Sequence, residues 1–194
     1  MNVLSLSEFL KTKAPGAVLA AHAWRGDETV TISPDRLPEV ARILKEDPAF
    51  QMNFLMDLTA VDYLTFGDTL KGQGAYPNAG IAVRQPMNVP TEEPWPGRAT
   101  QARFEVVYHF FSLPLQRRIR VKVPVEESKA EVESLTPFWA TANWFEREVW
   151  DMYGIRFRGH PDLRRILMYK EFEGHPLRKD YPVNKRQPLI GPVN

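Results

Sequence analysis

Charged side chains crowd one short stretch, Glu146-Arg147-Glu148 followed by Asp151, and two histidines come after it, His160 near Asp162 and His175 near Asp180. Clustered carboxylates could share proton-transfer work, and imidazole with carboxylate could ligate zinc or iron. The spacing serves neither chemistry well. Neighbours on a helix point in different directions, so Glu146 and Glu148 cannot converge on one atom, and an exposed or interfacial salt-bridge network is the expectation. Each histidine precedes a proline, Pro161 or Pro176, which holds it extended and makes a backbone corner its simpler role. No His-x-x-x-His pair fixes two ligands on a helix face. Arg164-Arg165 and Arg178-Lys179 could grip phosphates, but stacking aromatics and a glycine-rich phosphate loop are missing. No Ser-His-Asp ordering, nucleophile elbow or Rossmann fingerprint is present. A binding subunit therefore fits better than a free-standing enzyme. A small metal-dependent hydrolase and a nucleic-acid-binding lobe remain as rival readings.

The elements that must position these residues are legible in the periodicity. Residues 4–13 suit a short helix with Leu6, Phe9 and Leu10 on one face, and Pro15-Gly16 ends it. Residues 17–24 and 28–32 read as strands joined by Arg25-Gly26-Asp27. A helix follows with Asp35 as its cap, Pro38 in its first turn, and Leu37, Val40, Ala41 and Leu44 at the spacing of one buried face. Residues 53–64 suit a buried strand. Residues 103–111 and 118–123 form an expected hairpin turning at 112–116, and Pro124 is expected to stop it. In the second strand the alternation Arg118-Ile119-Arg120-Val121-Lys122-Val123 makes one face basic and the other apolar, which suits a sheet covered on one side. Residues 141–153 are helical by pattern, with Ala142, Phe145, Val149 and Met152 as an apolar stripe, an Arg147–Asp151 pair at i,i+4, and Gly154 placed for a left-handed C-cap. The aromatics Trp139, Trp144, Phe145, Trp150 and Tyr153 exceed what one helix face can bury, so some should anchor a partner.

Composition narrows the class further. A chain of 194 residues with 43% hydrophobic and 25% charged residues is that of a water-soluble globular protein with a real core. No run approaches the length of a membrane span, and residues 1–10 lack a secretory pattern, so the chain should stay where it is made. Zero cysteines exclude disulfides, thiol nucleophiles and Cys-ligated clusters. Between 156 and 186, nine Lys/Arg face four acids, a net of +5 in a chain whose total is +1. The C-terminal third is thus a basic lobe on a mildly acidic body. Residues 66–100 carry five glycines and five prolines with little periodicity beyond a possible extended pairing at 81–83, an insertion of unusual length for a compact domain. The tail from 181 onward cannot form its own core and should lie along another surface.

The stretch 146–182 resembles the signature of the 30 kDa (C-type) subunit of proton-translocating NADH:quinone oxidoreductase, respiratory complex I. The likeness rests on Glu146-Arg147-Glu148, on 151–155, on Gly159-His160-Pro161-Asp162-Leu163-Arg164-Arg165-Ile166-Leu167, and on Gly174-His175-Pro176-Leu177-Arg178-Lys179-Asp180-Tyr181-Pro182. Residues 58–63 and 103–109 also resemble the family, whereas nothing carries over onto 66–100. The resemblance implies a non-catalytic assembly subunit in the quinone module of the peripheral arm. FMN, iron-sulfur clusters and quinone would all sit in partner subunits. Its implied neighbours are the larger hydrophilic (D-type) subunit that lines the quinone cavity and the iron-sulfur subunits of the arm. It implies a peripheral location on the cytoplasmic side of a bacterial inner membrane, or the matrix side of a mitochondrial one. A ferredoxin- or hydrogenase-linked relative of the same architecture would carry the same signature. Glu146, Arg147, Glu148, Asp151, His160, Asp162, Arg164, Arg165, His175, Arg178, Lys179 and Asp180 are its implied docking residues. The expected fold is α+β, a mixed sheet with helices mainly on one face and an irregular extended C-terminal tail. The expected division is 1–155 as the domain and 156–194 as a basic docking tail.

Overall fold

A computed structural model describes residues 5–64 and 100–189. The expected insertion at 66–100, with the pairing suggested at 81–83, falls outside these residues except for Thr100. Helix α1 (Leu6–Lys13) buries Leu6 and Leu10 one turn apart and ends where the Ala14 N–H bonds Leu10 O at 2.8 Å. Strands β1 (Val18–Trp24) and β2 (Asp27–Ile32) follow as a hairpin whose two-residue turn takes positive φ at Arg25 (50°) and Gly26 (87°). Helix α2 (Leu37–Glu46) buries Leu37, Val40, Ala41 and Leu44, the face its periodicity predicts. Asp35 does not cap it. A short 3-10 turn, Pro34–Arg36, intervenes, so Arg36 takes the cap position and Asp35 lies a residue too early.

Strands β3 (Phe54–Asp62), β4 (Phe104–Ser112) and β5 (Arg117–Val125) complete a five-stranded sheet in the order β1-β2-β5-β4-β3. Only the β2–β5 contact is parallel; the other neighbours run antiparallel, so the sheet is mixed. Pro124 does not stop β5, which continues to Val125 with Pro124 opposite Glu105. The pairing of β2 with β5 has already ended at Lys122, so a proline here can leave its missing donor on a side without a partner strand. Alternation divides the strands cleanly. Phe104, Val106, Tyr108 and Phe110 of β4 and Ile119, Val121 and Val123 of β5 enter the core, while Arg118, Arg120 and Lys122 face the other way.

The helices supply the second layer, with α3 (Ala142–Tyr153) packed across β3. Trp139, just before α3, donates its indole N–H to Met52 O at 2.9 Å and lies against Phe110. After α3 the chain returns as β7 (Arg156–Arg158), parallel to β6 (Glu131–Glu133), and Val132 and Phe157 of this small sheet join the main core. From 159 onward the described residues form only turns and bends. The observed architecture is α+β with a mixed sheet, as the sequence predicts. Among the described residues, no helix is long and apolar enough to cross a membrane.

Candidate functional site

Asp151, on the inner side of α3's last turn, is fully buried and organises the irregular segment that follows. Its Oδ2 accepts three consecutive backbone N–H groups, from Ile166 (3.1 Å), Leu167 (2.9 Å) and Met168 (2.8 Å), and its Oδ1 takes the Arg165 guanidinium at 2.5 Å. Burial alone would push this carboxyl up, but the three amides and the arginine outweigh it and hold it below the ordinary 3.8. Arg165 also donates to Phe172 O (2.8 Å) and Gly174 O (3.1 Å) and lies against the rings of Trp150 and Phe172. The expected Arg147–Asp151 pair therefore does not form. Arg147 instead donates to the carbonyls of Arg164 and Arg165, each at 3.2 Å, because Arg165 and the three amides already occupy the Asp151 carboxylate.

The last four carbonyls of a helix have no partner within it. In α3 all four are satisfied by residues downstream. Gly154 N–H caps Trp150 O at 2.8 Å, His175 Nδ1 lies 3.0 Å from Asp151 O, Leu177 N–H bonds Met152 O at 3.0 Å, and Arg178 Nε–H bonds Tyr153 O at 2.6 Å. Gly154 takes φ 77°, and a Cβ there would lie 2.6 Å from His175 Cδ2, so this glycine is needed for both its conformation and its lack of a side chain. The Gly-His-Pro-Leu-Arg run thus works as the second half of a helix cap. Burial, with Arg178 and Arg165 nearby, lowers the His175 pKa despite its bond to Asp151 O.

Just beyond Arg178, the chain is tied to the sheet. Asp62, at the end of β3, accepts Lys179 N–H at 2.9 Å and Leu64 N–H at 3.0 Å, and is held bidentately by Arg103 at 2.8 and 3.1 Å. Arg103 reaches Asp180 as well (2.6 and 3.1 Å) and Glu127 (2.5 Å), three carboxylates around one guanidinium that is 8% exposed. Burial opposes the charge on Asp62, but Arg103 and the two amides win and its pKa falls; on Asp180 the Arg103 bond is the leading cause of the same shift. Asp62 and Arg103 fall within 58–63 and 103–109, the two upstream stretches that resemble the family, but neither is singled out there as a site residue. They lie 41 positions apart on either side of the insertion, where no spacing rule joins them.

The remaining signature residues divide by exposure. Glu146 is 0% exposed, contrary to the expected surface or interfacial network. One oxygen accepts Ser134 Oγ–H and the other Leu135 N–H, both at 2.6 Å, and burial pushes its pKa up to about 7. His160 accepts Asp162 N–H on Nδ1 (3.0 Å) and, with its proton on Nε2, donates to Asn143 O (3.0 Å), so both ring nitrogens are engaged at the corner. Glu148 and Lys179 point to solvent, and Asp162 and Arg164 form an exposed pair at 2.8 Å. Trp144 is 67% exposed beside Arg147, whose guanidinium lies 5.9 Å from its ring. The tail turns back on 169–174, with Gln187 donating to Glu173 O at 3.2 Å and Tyr169 to Pro188 O at 3.0 Å. Among the described residues, no three His, Asp or Glu side chains are grouped to hold a metal ion.

Comparison with known proteins gives a consistent answer. The family model described as respiratory-chain NADH dehydrogenase, 30 kDa subunit, matches residues 30–187. The C-type subunit of NADH-quinone oxidoreductase from Roseiflexus sp. (strain RS-1) is 41% identical over 180 residues, 93% of this chain and 84% of that protein. Its counterpart from Citrifermentans bemidjiense is 39% identical over 184 residues, 94% of this chain and 92% of its own. Among solved structures, a trypsin-resistant fragment of Nqo5 superposes with a TM-score of 0.56 at 29% identity, over 82% of this chain and all of the fragment (100%). A chain of the membrane-bound sulfane sulfur reductase, an archaeal respiratory membrane complex, shares the fold with a TM-score of 0.62 at 21% identity, over 92% of this chain and 85% of that one.

Proposed function

The chain belongs to the family of the 30 kDa subunit of respiratory-chain NADH dehydrogenase, and from that premise we propose that it is a structural subunit in the quinone module of the peripheral arm of a proton-translocating NADH:quinone oxidoreductase. The assembled enzyme passes electrons from NADH through FMN and iron-sulfur clusters to quinone. In this reading those groups sit in partner subunits, and this chain holds the larger hydrophilic subunit of the quinone cavity and the iron-sulfur subunits in fixed relation. It meets the membrane only through the complex, on the side that faces the bacterial cytoplasm or the mitochondrial matrix.

The observation that carries the proposal is the way buried charge is used. Asp62, Asp151, Arg103, Arg165 and His175 all bond to the chain's own backbone or to each other, and what they build is a defined shape for residues 159–181. The signature residues thus fall into an inner set that fixes the segment and an outer set, Glu148, Asp162, Arg164 and Lys179 with Trp144, that meets the partner. An irregular segment has little reason to be held at so many points unless its outer surface must match something. Preorganisation of this kind lowers the ordering cost of association.

The test is assembly in cells. Arg164→Glu and Trp144→Ala should leave the chain folded, because both side chains are largely exposed, yet lower the quinone-cavity subunit recovered with the tagged chain by about tenfold or more, as loss of an aromatic or arginine anchor does. Membranes of these strains should lose NADH:quinone activity in proportion. Normal subunit composition and activity in both variants would refute the docking assignment.

A further inference from the structure

The sheet face turned away from the helices carries a second, unassigned pattern. Cross-strand register places His22, Thr29, Arg120, His109 and Asp57 in one row across all five strands. The row on one side of it holds the Arg118–Asp27 ion pair (2.9 Å) and ends in Trp24 and Phe54, which are 50% and 42% exposed. On the other side Lys122 is paired with Glu105 at 2.8 Å. Arg120, at the centre, differs from its two neighbours on β5. Among the described residues its guanidinium has no carboxylate in ion-pair contact, and its one side-chain hydrogen bond is a long one, 3.4 Å, to Thr29 Oγ1.

We propose that this face is a second docking surface, and that its occupant is a segment of a partner protein that seats an Asp or Glu carboxylate over Arg120. An antiparallel sheet can leave one face in water, and alternating polar residues alone would call for no partner. Two features go beyond that. Large apolar side chains, Trp24 at one edge and Phe54 with Met56 (41% exposed) at the other, bracket the row. Trp, Phe, Met and Arg are the types enriched at interfaces. The second feature is charge. Burial first, then Lys122 and Arg120, lower the His22 pKa, and burial followed by Arg120 lowers that of His109, so the surroundings of both rings favour the neutral form. Arg120 is the only Lys or Arg of its row, and the acid of that row, Asp57, lies beyond His109 on the edge strand. A carboxylate arriving from outside would complete the pattern that Arg118–Asp27 and Lys122–Glu105 already follow. The surface lies on the far side of the sheet from α3, so the proposal stands apart from the reading of the C-terminal segment. It places this chain between two partners.

Photo-crosslinking in the assembled complex tests it. Benzoylphenylalanine placed at Trp24 and, separately, at Phe54 should crosslink to one and the same partner subunit, at peptides within a few residues of an Asp or Glu. Arg120→Glu should then lower recovery of that partner with the tagged chain at least tenfold, and reversing the identified acid to Arg on the partner should restore recovery to within about twofold, the signature of a coupled pair. If Arg120→Glu reduces the amount of folded chain, Arg120→Gln, which removes the charge and keeps the stem, carries the same comparison. Crosslinks confined to residues 65–99 of the same chain, to a second copy, or to nothing above the unirradiated control would overturn the proposal. So would wild-type recovery with Arg120→Glu.

Discussion

Glu146→Gln gives the sharpest check on the physics of the core. Glu146 is fully buried between Ser134 Oγ and Leu135 N–H, and its pKa rises from the ordinary 4.5 to about 7. The sign follows from linkage. Between these values the native state keeps a proton that the unfolded chain has lost, so its stability is full below pH 4.5 and declines as pH rises through about 7. At about 1.36 kcal/mol per pH unit, the loss amounts to roughly 3 kcal/mol by pH 9. Glutamine is neutral throughout. Its carbonyl can accept Leu135 N–H, and its amide can donate to Ser134 Oγ. Urea unfolding of the purified chain, followed by tryptophan fluorescence from pH 5 to 9, should therefore find the two proteins of similar stability at pH 5. The variant should be more stable by about 2 to 3 kcal/mol at pH 9. Stability curves for the two proteins that stay parallel over this range would refute the reasoning, since the titration of every other group cancels in the difference.

Asp151→Asn removes the charge facing Arg165 and, whichever way the amide is turned, sets its NH2 against donors, either Arg165 or the three backbone N–H groups. It should cost about 3 to 5 kcal/mol, the range for breaking a buried pair, and expose the chain to trypsin at Arg164 and Arg165 while the sheet stays protected. Because the pKa values of Asp62 and Asp151 are both depressed, their contribution is present above pH 3.8 and lost as pH falls below it. Acid titration of the purified chain should release residues 159–181 to protease before the strands open. Gly154→Ala, strained at φ 77° and 2.6 Å from His175, should lower stability by about 1 to 3 kcal/mol in thermal unfolding and loosen the same segment. Tyr108→Phe should be neutral or stabilising by about 1 kcal/mol in urea, because among the described residues the buried Tyr108 hydroxyl has no hydrogen-bond partner.

The regular elements were legible because periodicity is local. The faces of α2 and β5 could be read from residues three or four apart, or two apart, and the αL cap at Gly154 from a single residue at the end of an apolar stripe. The site was legible as a set of residues but not as a set of contacts. Glu146 and Asp151 look like surface acids in a charged helix because the sequence does not reveal that Ser134, Leu135 and the amides of 166–168 will come to meet them. Arg147 shows the same limit. Its i,i+4 neighbour was the correct geometric partner for an isolated helix, and a tertiary contact supplied a better one for Asp151.

The knot at Asp62 and Arg103 has a consequence for the length of the chain between them. Tyr63 N–H bonds Arg103 O at 2.9 Å, next to the bidentate Asp62–Arg103 pair, so the two ends of the intervening stretch are fastened to each other by the fold itself. Closing a loop on a fixed base costs only about 0.6 kcal/mol more for each doubling of its length. The anchor of β3, of β4 and of the C-terminal segment is thus set at the base by Asp62, Tyr63 and Arg103, not by the number of residues between them. That makes this position a natural place to graft an epitope or a reporter domain onto the assembled complex.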